Sequence, residues 1–162
     1  MAGIPIYETT ILPEWIDYNG HLRDAYYGLI VSLATDALMD RVGLDAAYRA
    51  RTGCTIYTLE MHLHYLHEVH RSDTVRVAVR IEGADHKRIH ATFEVRRSGD
   101  PALAASAEVM LLHVQQASDR VATAPFPAPV SAALAGLQAS SATLPAEGPA
   151  SRRMSLRPPT AS

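Results

Sequence analysis

Residues 25 to 42 read as a single long helix that is apolar around most of its circumference, and this limits the folds available to the chain more than any other feature. Tyr26, Ile30, Val31, Leu33, Ala34, Ala37, Leu38 and Val42 spread over several faces, while Gly28, Ser32, Thr35, Asp36 and Asp40 fall on a narrow stripe. Such a helix has to be enclosed rather than laid on a surface. Gly43 supplies the stop, because glycine takes the left-handed conformation that ends helices. Asp45 then caps a short second helix through Arg51, ended by Gly53.

The enclosing material follows directly. From Thr55 the pattern changes to period two, with Tyr57, Leu59, Met61, Leu63 and Tyr65 expected on the inner face of a long strand. Strands over 74–82, 88–97 and 103–115 follow, with Val75, Val77, Val79, Ile81, Ile89, Ala91, Phe93 and Val95 directed inward. Turn signals at Arg71-Ser72-Asp73, Gly83-Ala84-Asp85 and Ser98-Gly99-Asp100-Pro101 are short, so neighbouring strands run antiparallel. A further strand over 4–12 precedes the helix and is stopped by Pro13. The expected class is α+β, a curved antiparallel sheet wrapped around one central helix.

At 162 residues the chain has room for one domain and an extension. The domain is expected over 1–117. Seven of the ten prolines lie beyond residue 117, so 118–162 reads as a Pro/Ala/Ser-rich extension, largely disordered, with a turn or two of helix over 130–138. A net charge of −2 with scattered basic residues argues against a nucleic-acid partner. No run approaches the roughly 18 apolar residues that span a bilayer, and the single cysteine, Cys54, leaves no internal disulfide. A cytoplasmic location without membrane partners is the expectation.

The chemistry concentrates between Trp15 and Tyr27. Asp17 stands just before Asn19-Gly20, a pair that bends the chain sharply, and Asp24 is placed to cap the long helix. The first free N–H groups of that helix should then face back toward the turn. The simplest reading of Asp17 is a loop carboxylate bonding the Asn19 or Gly20 N–H; the functional one is a carboxylate held beside a helix N-terminus, where a carbonyl could react.

These residues carry a resemblance. Trp15 to Tyr27, Ala34-Thr35-Asp36-Ala37-Leu38, Gly83 to His90 and Ala107 to Val114 are similar to acyl-CoA thioesterases of the 4-hydroxybenzoyl-CoA thioesterase type, which have the hotdog fold. Within that group the segments resemble betainyl-CoA thioesterases and the thioesterase domain fused to L-carnitine dehydrogenases. The resemblance covers residues 4 to about 116 and implies hydrolysis of an acyl-CoA thioester in a site shared by two subunits, a homodimer or homotetramer, without metal or cofactor. Asp17 would attack the carbonyl or activate water, and N–H groups at Asp24 and Ala25, with Tyr26 next in line, would polarise it. Of the rings at Trp15, Tyr18, Tyr26, Tyr27, Tyr57 and Tyr65, two or three would surround a quaternary-ammonium acyl group by cation–π attraction, Trp15, Tyr18 and Tyr27 foremost. Asn19, His21, Glu60 and His62 are further pocket candidates, and Lys87 with Arg88 would meet the CoA phosphates.

Competing constellations are weaker. His62, His64, His67 and His70 suggest a metal, but the last two fall beyond the strand that carries the first pair, and a metal needs converging ligands. Cys54 has no neighbouring base and reads as a packed residue. A hotdog dehydratase would need a His and a carboxylate poised on a 3-hydroxyacyl chain, which the spacing of His21 with Asp17 or Asp24 matches poorly. The main alternative is a non-catalytic acyl-CoA or small-ligand binding protein.

Overall fold

The computed structural model describes residues 3–117, 120–145 and 147–149. Strand β1 (Ile4–Thr10) leads through a single 3-10 turn (Pro13–Trp15) to helix α1 (Asp24–Val42) and the short α2 (Ala46–Thr52). Strands β2 (Cys54–Tyr65), β3 (Thr74–Ala84), β4 (Arg88–Arg97) and β5 (Leu103–Gln116) follow, then β6 (Val121–Thr123) and helix α3 (Ala128–Ala142). The sheet runs β1-β3-β4-β5-β2, antiparallel throughout, with β6 also alongside β5.

The sheet packs on one face of α1, short of the full enclosure expected: Tyr27, Ile30, Val31, Ala34, Thr35, Leu38, Met39 and Val42 are buried, whereas Leu29, Ser32, Asp36 and Asp40 are exposed and Tyr26, Leu33 and Ala37 only half-buried. Ile30, Val31, Ala34 and Leu38 are buried in one core with Val75, Val77, Val79, Ala91, Phe93, Val95, Ala107 and Leu111. The helix closes at Gly43, whose φ of 88° is open to glycine at little cost. The Asp45 side chain accepts the Tyr48 N–H at 2.7 Å and starts α2 as expected.

Three further expectations need correction. Asp24 does not cap α1: Arg23 occupies the N-cap position, and Asp24 is the first helical residue, its Oδ1 accepting the N–H of Ala25 at 2.8 Å. The long strand does not alternate from end to end either. A bulge between Thr58 and Glu60 leaves Leu59 without a partner in the ladder, and the inner face switches parity across it. Ile56, Met61 and Leu63 pack on the core, while Tyr57, Leu59 and Tyr65 are exposed.

The third correction concerns the extension, which is ordered well beyond a turn or two. Val130 and Leu134 of α3 complete the core, and α3 lies along β3 where β1, whose register ends at Val79, no longer covers its edge. There the Ser141 hydroxyl accepts the Ile81 N–H at 3.1 Å. Arg80 donates to the carbonyls of Ser141, Leu144 and Pro145, giving these backbone groups a charged partner. On the sheet face turned away from α1, buried Arg96 joins Glu94, at 2.7 Å, to Glu147. Residues 151–162, part of the expected disorder, lie outside the described residues.

Candidate active site

The turn that begins at Asp17 is built by local hydrogen bonding. Asp17 N–H donates to the His21 carbonyl at 2.9 Å, and Gly20 N–H donates to the Asp17 carbonyl at 3.1 Å, with Gly20 at φ 84°. The Asp17 Oδ1 accepts N–H groups of Asn19 at 2.8 Å and His21 at 3.1 Å. These bonds, led by that from His21, hold the Asp17 pKa below its ordinary 3.8. The local reading is therefore correct as geometry, and it does not exhaust the residue: both bonds fall on Oδ1, and the carboxylate also lines a cleft of about 530 Å³.

The turn is fixed against the rest of the chain. Arg23 N–H donates to the Trp15 carbonyl at 3.0 Å and Leu22 N–H to the Val69 carbonyl at 2.7 Å, while His21 bridges to His70. The segment joining β2 to β3 is thereby drawn against the start of α1. It supplies the far wall of the cleft, Leu66, His67 and Glu68, facing Asp17, His21, Leu22, Asp24 and Tyr27. Tyr65, the last residue of β2, completes it: its hydroxyl donates to the Asp24 carbonyl at 3.3 Å, and its ring meets that of Tyr27 at 5.3 Å and 83°. Burial pushes the Tyr27 hydroxyl up to about 12, so it stays protonated and neutral at physiological pH.

Of the leading candidates in the sequence, the cleft gathers Asp17, His21, Asp24 and Tyr27. The expected ring cage does not assemble within one chain. Trp15 is buried and stacks on Tyr26 at 5.4 Å, and Tyr18 is 95% exposed, so of the three foremost rings only Tyr27 reaches the cleft. Asn19 is exposed and serves the turn through its N–H. Ala25 N–H is engaged by the Asp24 carboxylate, so it can reach a substrate carbonyl only when that side chain swings aside.

Glu60 and His62 sit elsewhere. They pair with each other at 2.7 Å and line, with His90 and Glu108, a small pocket on the sheet face turned away from α1. Lys87 and Arg88 are also remote within the chain. Arg88 pairs in register with Leu112, whereas Val95 pairs with Ala105, which faces Tyr65, so positions 88 to 95 of β4, about 23 Å, separate the basic turn from the cleft. Arg88 is bound to Asp85 at 2.7 Å.

Sequence reasoning missed Glu68 as a cleft residue, and it counted Tyr65 only as one of six candidate rings, behind Trp15, Tyr18 and Tyr27. His67 and His70 marked the β2–β3 connection as rich in polar side chains, and only tertiary pairing shows that it faces Asp17. His21, Glu68 and His70 bring one ligand atom each within 4.8 Å of one another, a grouping that the histidines weighed from sequence did not include. Cys54 is buried, its sulfur 3.8 Å from the Thr52 carbonyl, and it packs as a small core residue.

Comparison with known proteins bears on the family and the fold. The profile of the thioesterase-like superfamily matches residues 11–134. The chain is 43% identical over 152 residues to a betainyl-CoA thioesterase of Pseudomonas aeruginosa, covering 94% of both chains. It resembles the crystal structure of a candidate thioesterase from Pseudomonas putida KT2440 with a TM-score of 0.85 and 40% identity, over 98% of this chain and 99% of that one. A Staphylococcus aureus protein solved in complex with CoA matches with a TM-score of 0.82 and 27% identity, over 97% and 98% of the two chains.

Proposed function

This chain belongs to the thioesterase-like superfamily and is a thioester hydrolase, and from that premise we propose that it cleaves betainyl-CoA in the Asp17 cleft. The observation that carries this reading is the Asp17 carboxylate itself, ionised, fixed through Oδ1 by two N–H groups and lining a cleft at the start of α1. Oδ2, outside that pair of bonds, is the oxygen that attacks the thioester carbonyl. Held below its ordinary 3.8, the carboxylate is anionic near neutrality, the form that attacks the carbonyl. Attack forms a C–O bond, collapse of the tetrahedral adduct breaks the C–S bond and releases CoA, and water cleaves the resulting mixed anhydride. Rotation of the Asp24 side chain frees the Ala25 N–H, which with the α1 dipole polarises the carbonyl.

The working unit is a dimer paired along β2. Within one chain β2 is an edge strand carrying exposed Tyr57, Leu59 and Tyr65, an apolar edge that a second copy would cover. Antiparallel pairing of two β2 strands sets the Tyr65 end of one against the Cys54 end of the other. In register, Tyr57 near that second end neighbours Leu112, and Leu112 neighbours Arg88. The dimer thus carries the partner subunit's Lys87 and Arg88 toward the cleft, where they meet the CoA phosphates that the chain's own pair cannot reach.

Free-thiol release from betainyl-CoA, acetyl-CoA and an aromatic acyl-CoA tests the assignment. The highest kcat/KM is expected for betainyl-CoA. Tight binding of all three without thiol release would instead support a ligand-binding protein.

A further inference from the structure

The cleft beside Asp17 has an uneven chemistry. Three of its lining residues, Asp17, Asp24 and Glu68, are carboxylates, and no lysine or arginine lines it among the described residues. Such a wall repels the phosphates of a CoA ester, so the cleft takes the acyl end of the substrate. Its other distinctive feature is the corner formed by Tyr27 and Tyr65, whose rings stand nearly perpendicular at 5.3 Å.

A trimethylammonium group suits this combination. It has no N–H to donate, so it is held by aromatic faces and by net negative charge rather than by directed hydrogen bonds. Covalent geometry then restricts where it can lie: in a betainyl thioester the nitrogen is two bonds from the carbonyl carbon, about 2.5 Å away. A cation-selective group must therefore border the reacting centre. Trp15 and Tyr18 do not line that centre, whereas Tyr65 and Glu68 share the cleft with Asp17.

We propose that Tyr65 and Glu68 determine substrate specificity, selecting an acyl group with a quaternary ammonium next to the thioester carbonyl over a neutral group of the same shape. The proposal rests on the thioesterase reading above and deepens it. Tyr65 offers a ring face at the mouth of the cleft, 54% exposed and anchored through its hydroxyl to the Asp24 carbonyl. Glu68 offers a carboxylate whose neighbours, His21 at 3.4 Å and His70 at 4.0 Å, orient it at the cleft wall.

The neutral isostere of the betainyl group is 3,3-dimethylbutyryl, with a tert-butyl group in place of the trimethylammonium. Calorimetric dissociation constants of the two CoA analogues in which a methylene replaces the thioester sulfur isolate the positive charge from shape and from turnover. The wild type is expected to bind the cationic analogue at least about tenfold tighter, and Glu68→Gln and Tyr65→Leu each to reduce that preference several-fold. Both side chains are more than half exposed within one chain, and because Tyr65 also lies on the β2 edge, circular dichroism and sedimentation velocity check that the variants keep the fold and the assembly of the wild type. Equal binding of the two analogues by the wild type, or a preference unchanged in both variants, would overturn the proposal. Thiol release from betainyl-CoA, measured in parallel, separates the two claims: retained preference without turnover contradicts the hydrolytic reading alone, and turnover without preference contradicts this inference alone.

Discussion

Asp17 joins local structure to chemistry, and its ionisation makes the connection measurable. Hydrogen bonds from His21 and Asn19 favour the charged form, as do the neighbouring His21 and Arg23 charges. A group with a depressed folded-state pKa contributes stability that is present above its unfolded value and is lost as pH falls through the folded one. Activity that depends on ionised Asp17 follows the same window. The acid limb of kcat/KM is therefore expected below pH 3.8, as far down as the fold survives, with no step between pH 4 and 6 attributable to Asp17. A pH–rate profile checks this; a carboxylate step near pH 5 that disappears in Asp17→Asn would contradict it. Asp17 could be singled out from the sequence because Asp, Asn and Gly shape a turn over a few residues. Tyr65 could be named only as one ring among six, and Glu68 not at all, because their proximity to Asp17 depends on the His21–His70 bridge and the bond from Leu22 to Val69, which join segments nearly fifty residues apart in sequence.

At the scale of elements, periodicity reveals which residues face the core and misleads where the ladder is irregular. The span of α1 and the inward residues of β3 and β4 are read correctly because the core takes one side of each: Val75, Val77, Val79, Ile81, Ile89, Ala91, Phe93 and Val95 all join it. The bulge at Leu59 escapes the same reasoning: strict alternation continues in the sequence while the backbone gains an unpaired residue, and the second half of the strand turns over. The start of α1 is misread for a related reason. Asp24 is a good cap by composition, yet Arg23 has the extended backbone of the N-cap, with φ −62° and ψ 140°, and is bonded to Trp15. The exposed Leu59 also gives the edge strand a test. Leu59→Lys would place a charge on an edge that pairs with its own copy, and the substitution is expected to shift the protein from dimer to monomer in sedimentation velocity while preserving its circular dichroism. A variant that stays dimeric would remove β2 from the interface.

For the whole molecule, composition under-reads the extension. Alanine, serine and proline look like solvated chain, but α3 supplies two core side chains and, with the residues after it, a set of carbonyl and carboxylate acceptors for buried arginines. The need for those acceptors arises on β3 and β4, where Arg80 and Arg96 are nearly inaccessible, and cannot be seen from residues 120–149 alone. The sheet, the helix and the joined β2–β3 connection together hold one carboxylate at one helix end, and the hydrolytic reading depends on that carboxylate. The most direct measurement is the rate of thiol release from betainyl-CoA by the wild type and by Asp17→Asn, with both proteins matched in oligomeric state and circular dichroism. Loss of an attacking or proton-accepting group is expected to lower kcat by a factor of about 100 or more, and an Asp17→Asn variant with unchanged turnover would contradict the account.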